Sequence, residues 1–258
     1  MAKKRMFIDM SKCIACRACQ IACQQWHQLP AEDTSFTGSY QNPEDLSAAN
    51  LTLTRFFEVG NNGDVRWLFF VDRCRHCKDP QCKQACPLKA IRQNKKGMVF
   101  IKANCDPSAC STGPVKPCQL ACPFKRPPGT PPESIPRYRL NNGSTLPDGR
   151  ANKCDFCYDR WGDSVLKGGI DAPTPQDGAR YKGTFAKSKK CACEIVCPTG
   201  AIRTGGNAKM RRKAERRATY LQANGYPNAN VYPAGYETQV IWVLLEDPAI
   251  SVYGVVEA

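Results

Sequence analysis

The grouping of cysteines constrains this chain more than any other feature. Cys13, Cys16, Cys19 and Cys23 run C-x2-C-x2-C-x3-C, and Cys74, Cys77, Cys82 and Cys86 run C-x2-C-x4-C-x3-C. In the third group, Cys105, Cys110, Cys118 and Cys122, the first two gaps widen while the last stays at three residues. Cys154 and Cys157 open a fourth group, which Cys193 and Cys197 close after a long insertion, again with a gap of three. Sixteen of the 17 cysteines obey this grammar, and Cys191 stands outside it. A proline follows the last cysteine of three groups, at Pro87, Pro123 and Pro198, whereas the first group has Gln24 there. Cys86-Pro87-Leu88-Lys89-Ala90-Ile91 and Cys197-Pro198-Thr199-Gly200-Ala201-Ile202 mark this as an internal repeat.

Three chemistries use closely spaced cysteines. Structural zinc takes two C-x2-C pairs separated by a longer loop, and four thiols inside the span 13–23 are too crowded for that pattern. Disulfides are disfavoured by an odd count and by the poor cross-link geometry of C-x2-C triplets. The run C-x2-C-x2-C-x3-C-P is instead the bacterial ferredoxin signature, in which three thiolates wrap one [4Fe–4S] cubane and the fourth ligates its neighbour. Short gaps let a tight loop curl around one inorganic cube, and the cysteine three residues on begins a helix leading away. The following proline suits a helix start, where its missing N–H is no loss.

Chain order predicts how the thiols divide. The second and third groups lie close together, placing Cys74, Cys77, Cys82 and Cys122 on one cube and Cys86, Cys105, Cys110 and Cys118 on another. The first and fourth must then meet across the chain, with Cys13, Cys16, Cys19 and Cys197 on a third cube and Cys23, Cys154, Cys157 and Cys193 on a fourth. The expected fold is α+β: two tandem bacterial-ferredoxin-like units, each holding two [4Fe–4S] clusters, one inserted into the other, with few short strands and helices and much loop. The first half of the outer unit spans 1–64, the inner unit 65–136, the second half of the outer unit 137–205, and a C-terminal helix and strand extension 206–258. Cys191 is a bystander thiol or a competitor for Cys193, and the preserved gap of three favours Cys193 as the ligand.

The four cubes account for an unusual charge. Lys and Arg number 37 against 23 Asp and Glu, a formal +14. A [4Fe–4S] core with four thiolates carries about −2, so four of them bring the holoprotein to roughly +6. Lys12, Arg17, Arg73, Arg75, Lys78 and Lys83 flank the cysteines and are the candidate counter-charges. His76 lies between two cysteines, but a complete cysteine set leaves it no ligand role; Trp26 and His27 read as packing residues.

Strands are expected at 65–71, 98–101 and 239–245, and a helix over 209–221 with Met210, Ala214, Ala218 and Leu221 along one stripe. Six prolines make 123–136 an extended connector, and 162–190 reads as a polar surface loop. The basic face of the 209–217 run raises an alternative class, a nucleic-acid-binding iron–sulfur or zinc protein. Against it, a solvated helix face is the commoner outcome, and no nucleic acid is expected as a partner. No dinucleotide fingerprint, P-loop or acid/base constellation is found, so a chain with four redox centres and no catalytic site reads as an electron conduit. The longest apolar run, Val240 to Leu245, is far short of the ~20 residues of a spanning helix. The basic N-terminus meets Asp9 and Lys12 before any apolar region develops, unlike a Sec-type signal.

The cysteine grammar resembles the four-cluster electron-transfer subunits that accompany molybdenum or tungsten bis-pterin oxidoreductases. A narrower likeness, to the formate dehydrogenase iron–sulfur (beta) subunits, lies in residues 13–26, in Asn42-Pro43-Glu44-Asp45-Leu46-Ser47, in Thr54-Arg55-Phe56 and Trp67-Leu68, and in the basic helix with Tyr226-Pro227 and the strand at 240–245. The resemblance implies a large catalytic alpha partner oxidising formate at molybdenum or tungsten. It also implies delivery of electrons to a cytochrome, quinone module or other acceptor. Export of the folded pair to the periplasm on the partner's twin-arginine signal would follow, with the clusters inserted beforehand in the reducing cytoplasm. The alternatives are the equivalent subunit of another molybdopterin enzyme and a cytoplasmic location. Membrane-bound members carry a C-terminal anchoring helix, whereas residues up to Ala258 hold no such segment. The wide third group and the long 162–190 insertion are atypical of the family.

Overall fold

The apolar run near the C-terminus forms strand β8 (Val240–Leu244), every residue of it buried. In the computed structural model, residues 3–61, 64–124, 134–161, 189–235 and 237–246 are described. A strand buried on both faces suits a sheet centre, and this one has β1 (Lys4–Asp9) parallel on one side and β7 (Asn230–Tyr232) antiparallel on the other. Strand β6 (Ile202–Gly206) adds antiparallel to β1, giving the order β6-β1-β8-β7. The chain start is thereby joined to the segment just after Cys197.

One face of this sheet is covered by a helix, α6 (Asn207–Gln222), which begins two residues before the expected span and ends one after it. Its stripe of Met210, Ala214, Ala218 and Leu221 packs on Phe7, Ile241 and Val243. On the other face lies the long hairpin β2 (Thr52–Asn61) and β3 (Asp64–Arg73), paired from Thr52–Arg73 to Asn61–Asp64. Phe70 meets Tyr232 edge-on and Trp242 at a tilt, and the Trp242 indole N–H donates to the Val71 carbonyl at 3.0 Å. The short pair β4 (Ile91–Gln93) and β5 (Val99–Ile101) matches the strand expected at 98–101. Most of the 123–136 connector and of the 162–190 loop lies outside the described residues.

The prolines act in the opposite sense to that expected. Each third cysteine sits in a helix: Cys19 in α1 (Ala18–Trp26), Cys82 in α2 (Gln81–Gln84), Cys118 in α4 (Pro117–Leu120) and Cys193 in α5 (Ala192–Ile195). Helices α2, α4 and α5 all stop one residue before the fourth cysteine's neighbour, at caps Ala85, Ala121 and Val196, and then meet Cys-Pro. Proline's ring pushes the preceding residue out of the helical region, so Pro87, Pro123 and Pro198 end helices and do not start them. Where Gln24 replaces proline, the helix runs on past Cys23 to Trp26. The prolines that do open helices are Pro107 of α3 (Pro107–Cys110) and Pro117 of α4.

A web of buried ions ties the second cysteine group to the middle of the chain. Asp72 accepts from Arg55 at 2.8 Å and Arg75 at 2.5 Å, while Asp45 accepts from Arg55 at 2.5 Å and Arg137 at 2.7 Å. The Arg75 guanidinium lies within 5.0–5.8 Å of the ring centroids of Phe70, Phe124, Tyr232 and Trp242.

Candidate metal centres

Tight left-handed turns shape the cysteine loops. Ala15, Arg17, His76, Phe156 and Cys157 all have φ between +47° and +68°, a cost for residues with a Cβ that the surrounding packing must hold. These turns aim backbone N–H groups at sulfur: Ala15 N to Cys13 Sγ at 3.4 Å, His76 N to Cys74 Sγ at 3.4 Å, and Ala90 N to Cys86 Sγ at 3.3 Å. Such N–H···S bonds stabilise negative charge on the cysteine sulfur.

Cys13, Cys16, Cys19 and Cys197 line one almost wholly apolar pocket, together with Ile14, Thr54, Val71 and Ile202. Burial pushes the Cys13 thiol up, and Cys197 and Cys16 add to it as like charges. The Cys19 thiol is pushed up to about 12 by burial and then by Cys193, so this pocket neighbours the next.

Cys23, Cys154, Cys157 and Cys193 are all buried. Burial raises Cys154, with Cys23 adding to the rise, while Arg73 opposes it. The Arg73 Nη1 donates to Cys193 Sγ at 3.1 Å. Cys193 is brought down to about 6, first by the Cys191 thiol and then, against burial, by Arg73. The single Cys191 proton faces the Phe156 carbonyl at 3.2 Å as well as the Cys193 sulfur, at a position with no solvent exposure.

In the second and third groups, burial raises Cys77, followed by Cys74, Cys122 and Cys82 as like-charged neighbours. Cys118 is pushed up to about 12 by burial, then by Cys82, Cys105, Cys110 and Cys86. Cys82, Cys86, Cys105 and Cys118 all pack against the apolar patch of Ile91, Val99, Ile101, Tyr138 and Ala151.

A donor set of this kind suits a bulky, electron-rich sulfur cluster. Buried thiols held together raise one another's pKa, and only a polycation at their centre makes four adjacent thiolates favourable. Among the described residues no group of three or more His, Cys, Asp or Glu side chains closes as ligands of a single ion do. The hollow lined by Cys13, Cys16, Cys19 and Cys197 is a place such a cluster would occupy, with those four thiolates as its ligands.

Of the six expected counter-charges, Arg73 is the one with a hydrogen bond to a thiol. Arg75 is spent on Asp72 and the aromatic cage, Lys78 pairs with Glu237, Lys12 faces Asp9, and Arg17 donates to the carbonyls of Tyr40 and Asn42. Lys83 is exposed. Lys153, unremarked in the sequence, is buried beside Cys154, its Nζ donating to the carbonyls of Val99 at 2.5 Å and Cys154 at 3.0 Å. Trp26 and His27 do more than pack: Trp26 donates to Asp159 at 3.1 Å, and His27 bonds Asp155 at 3.0 Å and the Cys23 carbonyl at 2.8 Å. His76 makes no use of a ligand lone pair, since its Nδ1 accepts the Val99 N–H at 2.9 Å.

Fold and thiol geometry together define a ferredoxin-type iron–sulfur protein of mixed α/β content, and a family model described as a 4Fe-4S dicluster domain matches residues 65–167. The nitrate-inducible formate dehydrogenase iron–sulfur subunit of Escherichia coli (strain K12) is 36% identical over 247 residues, covering 94% of this chain and 68% of that protein. Formate dehydrogenase 2 subunit beta (cytochrome c-553) of Nitratidesulfovibrio vulgaris is 32% identical and is matched over 94% of its length. The formate dehydrogenase subunit beta of Megalodesulfovibrio gigas is 29% identical over 96% of each chain. The chain belongs to the formate dehydrogenase iron–sulfur (beta) subunits, the electron-transfer partners of a catalytic alpha subunit. No helix among the described residues is long and apolar enough to cross a membrane.

Proposed function

We propose that this subunit carries electrons through four [4Fe–4S] clusters from a formate-oxidising molybdenum or tungsten bis-pterin subunit to a cytochrome or quinone-reactive acceptor. The observation that carries the reading is the pocket in which Cys197 joins Cys13, Cys16 and Cys19. A fourth ligand drawn from the far end of the repeat is what crossed ligation requires. The same crossing supports two ferredoxin-like units, one inserted into the other. By this division Cys23, Cys154, Cys157 and Cys193 hold a second cluster, Cys74, Cys77, Cys82 and Cys122 a third, and Cys86, Cys105, Cys110 and Cys118 a fourth.

When bound, each cluster supplies a one-electron couple. The chain's own residues do the rest. Apolar walls from Val71, Ile91 and Ile101 keep water from the sulfurs they cover, and backbone N–H donors and Arg73 favour the more negative reduced state. Each third and fourth cysteine stand four residues apart, so one helical turn spans two neighbouring clusters and keeps them close. The unit works in the periplasm, exported folded with its catalytic partner.

The test is anaerobic purification through a tag on this chain. The expected result is a co-purifying large subunit, formate-dependent dye reduction, about sixteen irons per chain and four reducible signals in low-temperature EPR. A colourless preparation, or one with iron for two clusters, overturns it; spheroplast fractionation tests the location.

A further inference from the structure

Two buried cations, Arg73 and Lys153, stand next to cysteines in the chain, before Cys74 and Cys154. Arg75 and Arg137 are buried and Arg55 is half-buried, and each faces a carboxylate, Asp72 or Asp45. Arg73 and Lys153 are buried just as deeply, at 1% and 3% exposure, with different partners. Arg73 donates to Cys193 Sγ at 3.1 Å, Met6 Sδ at 2.9 Å and Thr52 Oγ1 at 2.5 Å, and its Nε is buried without a hydrogen-bond partner. Lys153 donates to two backbone carbonyls. Apart from the Cys193 sulfur these partners are neutral, and a buried cation so placed is costly and draws a counter-charge from its surroundings.

The surroundings are thiols. Burial works against the charge of Arg73, yet Cys154, Cys193 and Cys23 hold its pKa well above the ordinary value. Burial likewise opposes Lys153, and Cys74, Cys82 and Cys154 raise it, followed by Asp155. The Asp155 carboxylate is itself engaged with His27 and the Cys157 N–H. Lys153 therefore faces thiols of the second and fourth groups together, while Arg73 faces those of the first and fourth. Between them His76 is held neutral by burial, Lys153 and Arg73.

We propose that Arg73 and Lys153 are the internal counter-ions of two adjacent clusters: Arg73 serves the one held by Cys23, Cys154, Cys157 and Cys193, and Lys153 is shared between that cluster and the one held by Cys74, Cys77, Cys82 and Cys122. This rests on the four-cluster reading above. On reduction each cluster takes one electron from the partner or from dithionite, and both side chains keep their protons. The fixed positive charge, screened from water, stabilises that electron and makes the two clusters the place where it rests in transit.

The test is EPR-monitored redox titration of the intact complex. Arg73→Gln is expected to lower the midpoint of one signal, and Lys153→Met to lower two, leaving the other two in place. Each shift corresponds to a tenfold or larger loss in the reduction equilibrium, about 59 mV for a one-electron couple. Should Arg73→Gln lose its cluster, Arg73→Lys decides, because it keeps the charge and loses the forked donor: a smaller shift of that one signal supports the proposal. Unchanged midpoints, or an equal shift of all four signals, overturn it. Wild-type protein with fewer than four reducible signals instead overturns the four-cluster reading, before any variant is compared.

Discussion

Gln24→Pro tests the claim that proline ends the cysteine-bearing helices. Gln24 lies inside α1, with Cys23 just before it and two further residues of helix after it. Proline there removes a backbone N–H from the helix and clashes with the preceding turn, costing about 3 kcal/mol. It also forces Cys23 toward extended backbone, which withdraws Trp26 from Asp159 and His27 from Asp155, bonds of 3.1 and 3.0 Å. Losing two hydrogen bonds to carboxylates adds about 3 kcal/mol more. A total on the order of 6 kcal/mol rivals the whole net stability of a domain. The variant, purified anaerobically with its partner, is expected to lose about a quarter of its iron and to unfold at lower temperature by circular dichroism. Pro87→Gln is the control: Pro87 is exposed and follows a finished turn, so the change costs about 1 kcal/mol or less. Full iron and an unchanged melting temperature in Gln24→Pro would refute the reasoning.

Three further outcomes are expected. Asp72→Asn removes a carboxyl that Arg75 and Arg55, against burial, hold from 3.8 down to about 2; it should destabilise the holoprotein by roughly 2 kcal/mol, read as a lower urea midpoint for cluster bleaching. His27 titrates well above 6.5 because, against its burial, Asp155 and Cys23 favour the cation. Its contribution is therefore fully present below about pH 6.5 and lost as pH rises through the elevated value, so cluster loss in urea should accelerate more with alkalinity in wild type than in His27→Gln. Cys191→Ala should retain full iron while Cys193→Ala loses about four irons, and the reverse pattern would make Cys191 the ligand.

Much of the candidate site was legible because thiolate chemistry is written in local spacing. A gap of two or three residues limits which sulfurs can reach one cube, and no packing partner elsewhere alters that limit. The β8 strand and the α6 stripe were equally open to reading, since burial of an apolar run or stripe needs only the sequence itself. The role of the prolines was misread because Cys-Pro is compatible with a helix beginning or ending, and only the flanking backbone decides between them. His27 was read as a packing residue and Lys153 was passed over, because an isolated His or Lys carries no pattern. Their roles come from Asp155, Val99 and Cys154, which folding brings alongside.

From its amino acids alone the chain declares sulfur ligation, a fourfold repeat and a basic excess to match anionic cofactors, because each is a property of neighbours in sequence or of totals. Only the tertiary structure decides that Arg73 and not Arg75 reaches a thiol, that Lys153 is buried against the Val99 and Cys154 carbonyls, and that β1 lies between β6 and β8. These depend on contacts between distant segments, where burial sets which charges must find a partner and which partner is near enough to serve.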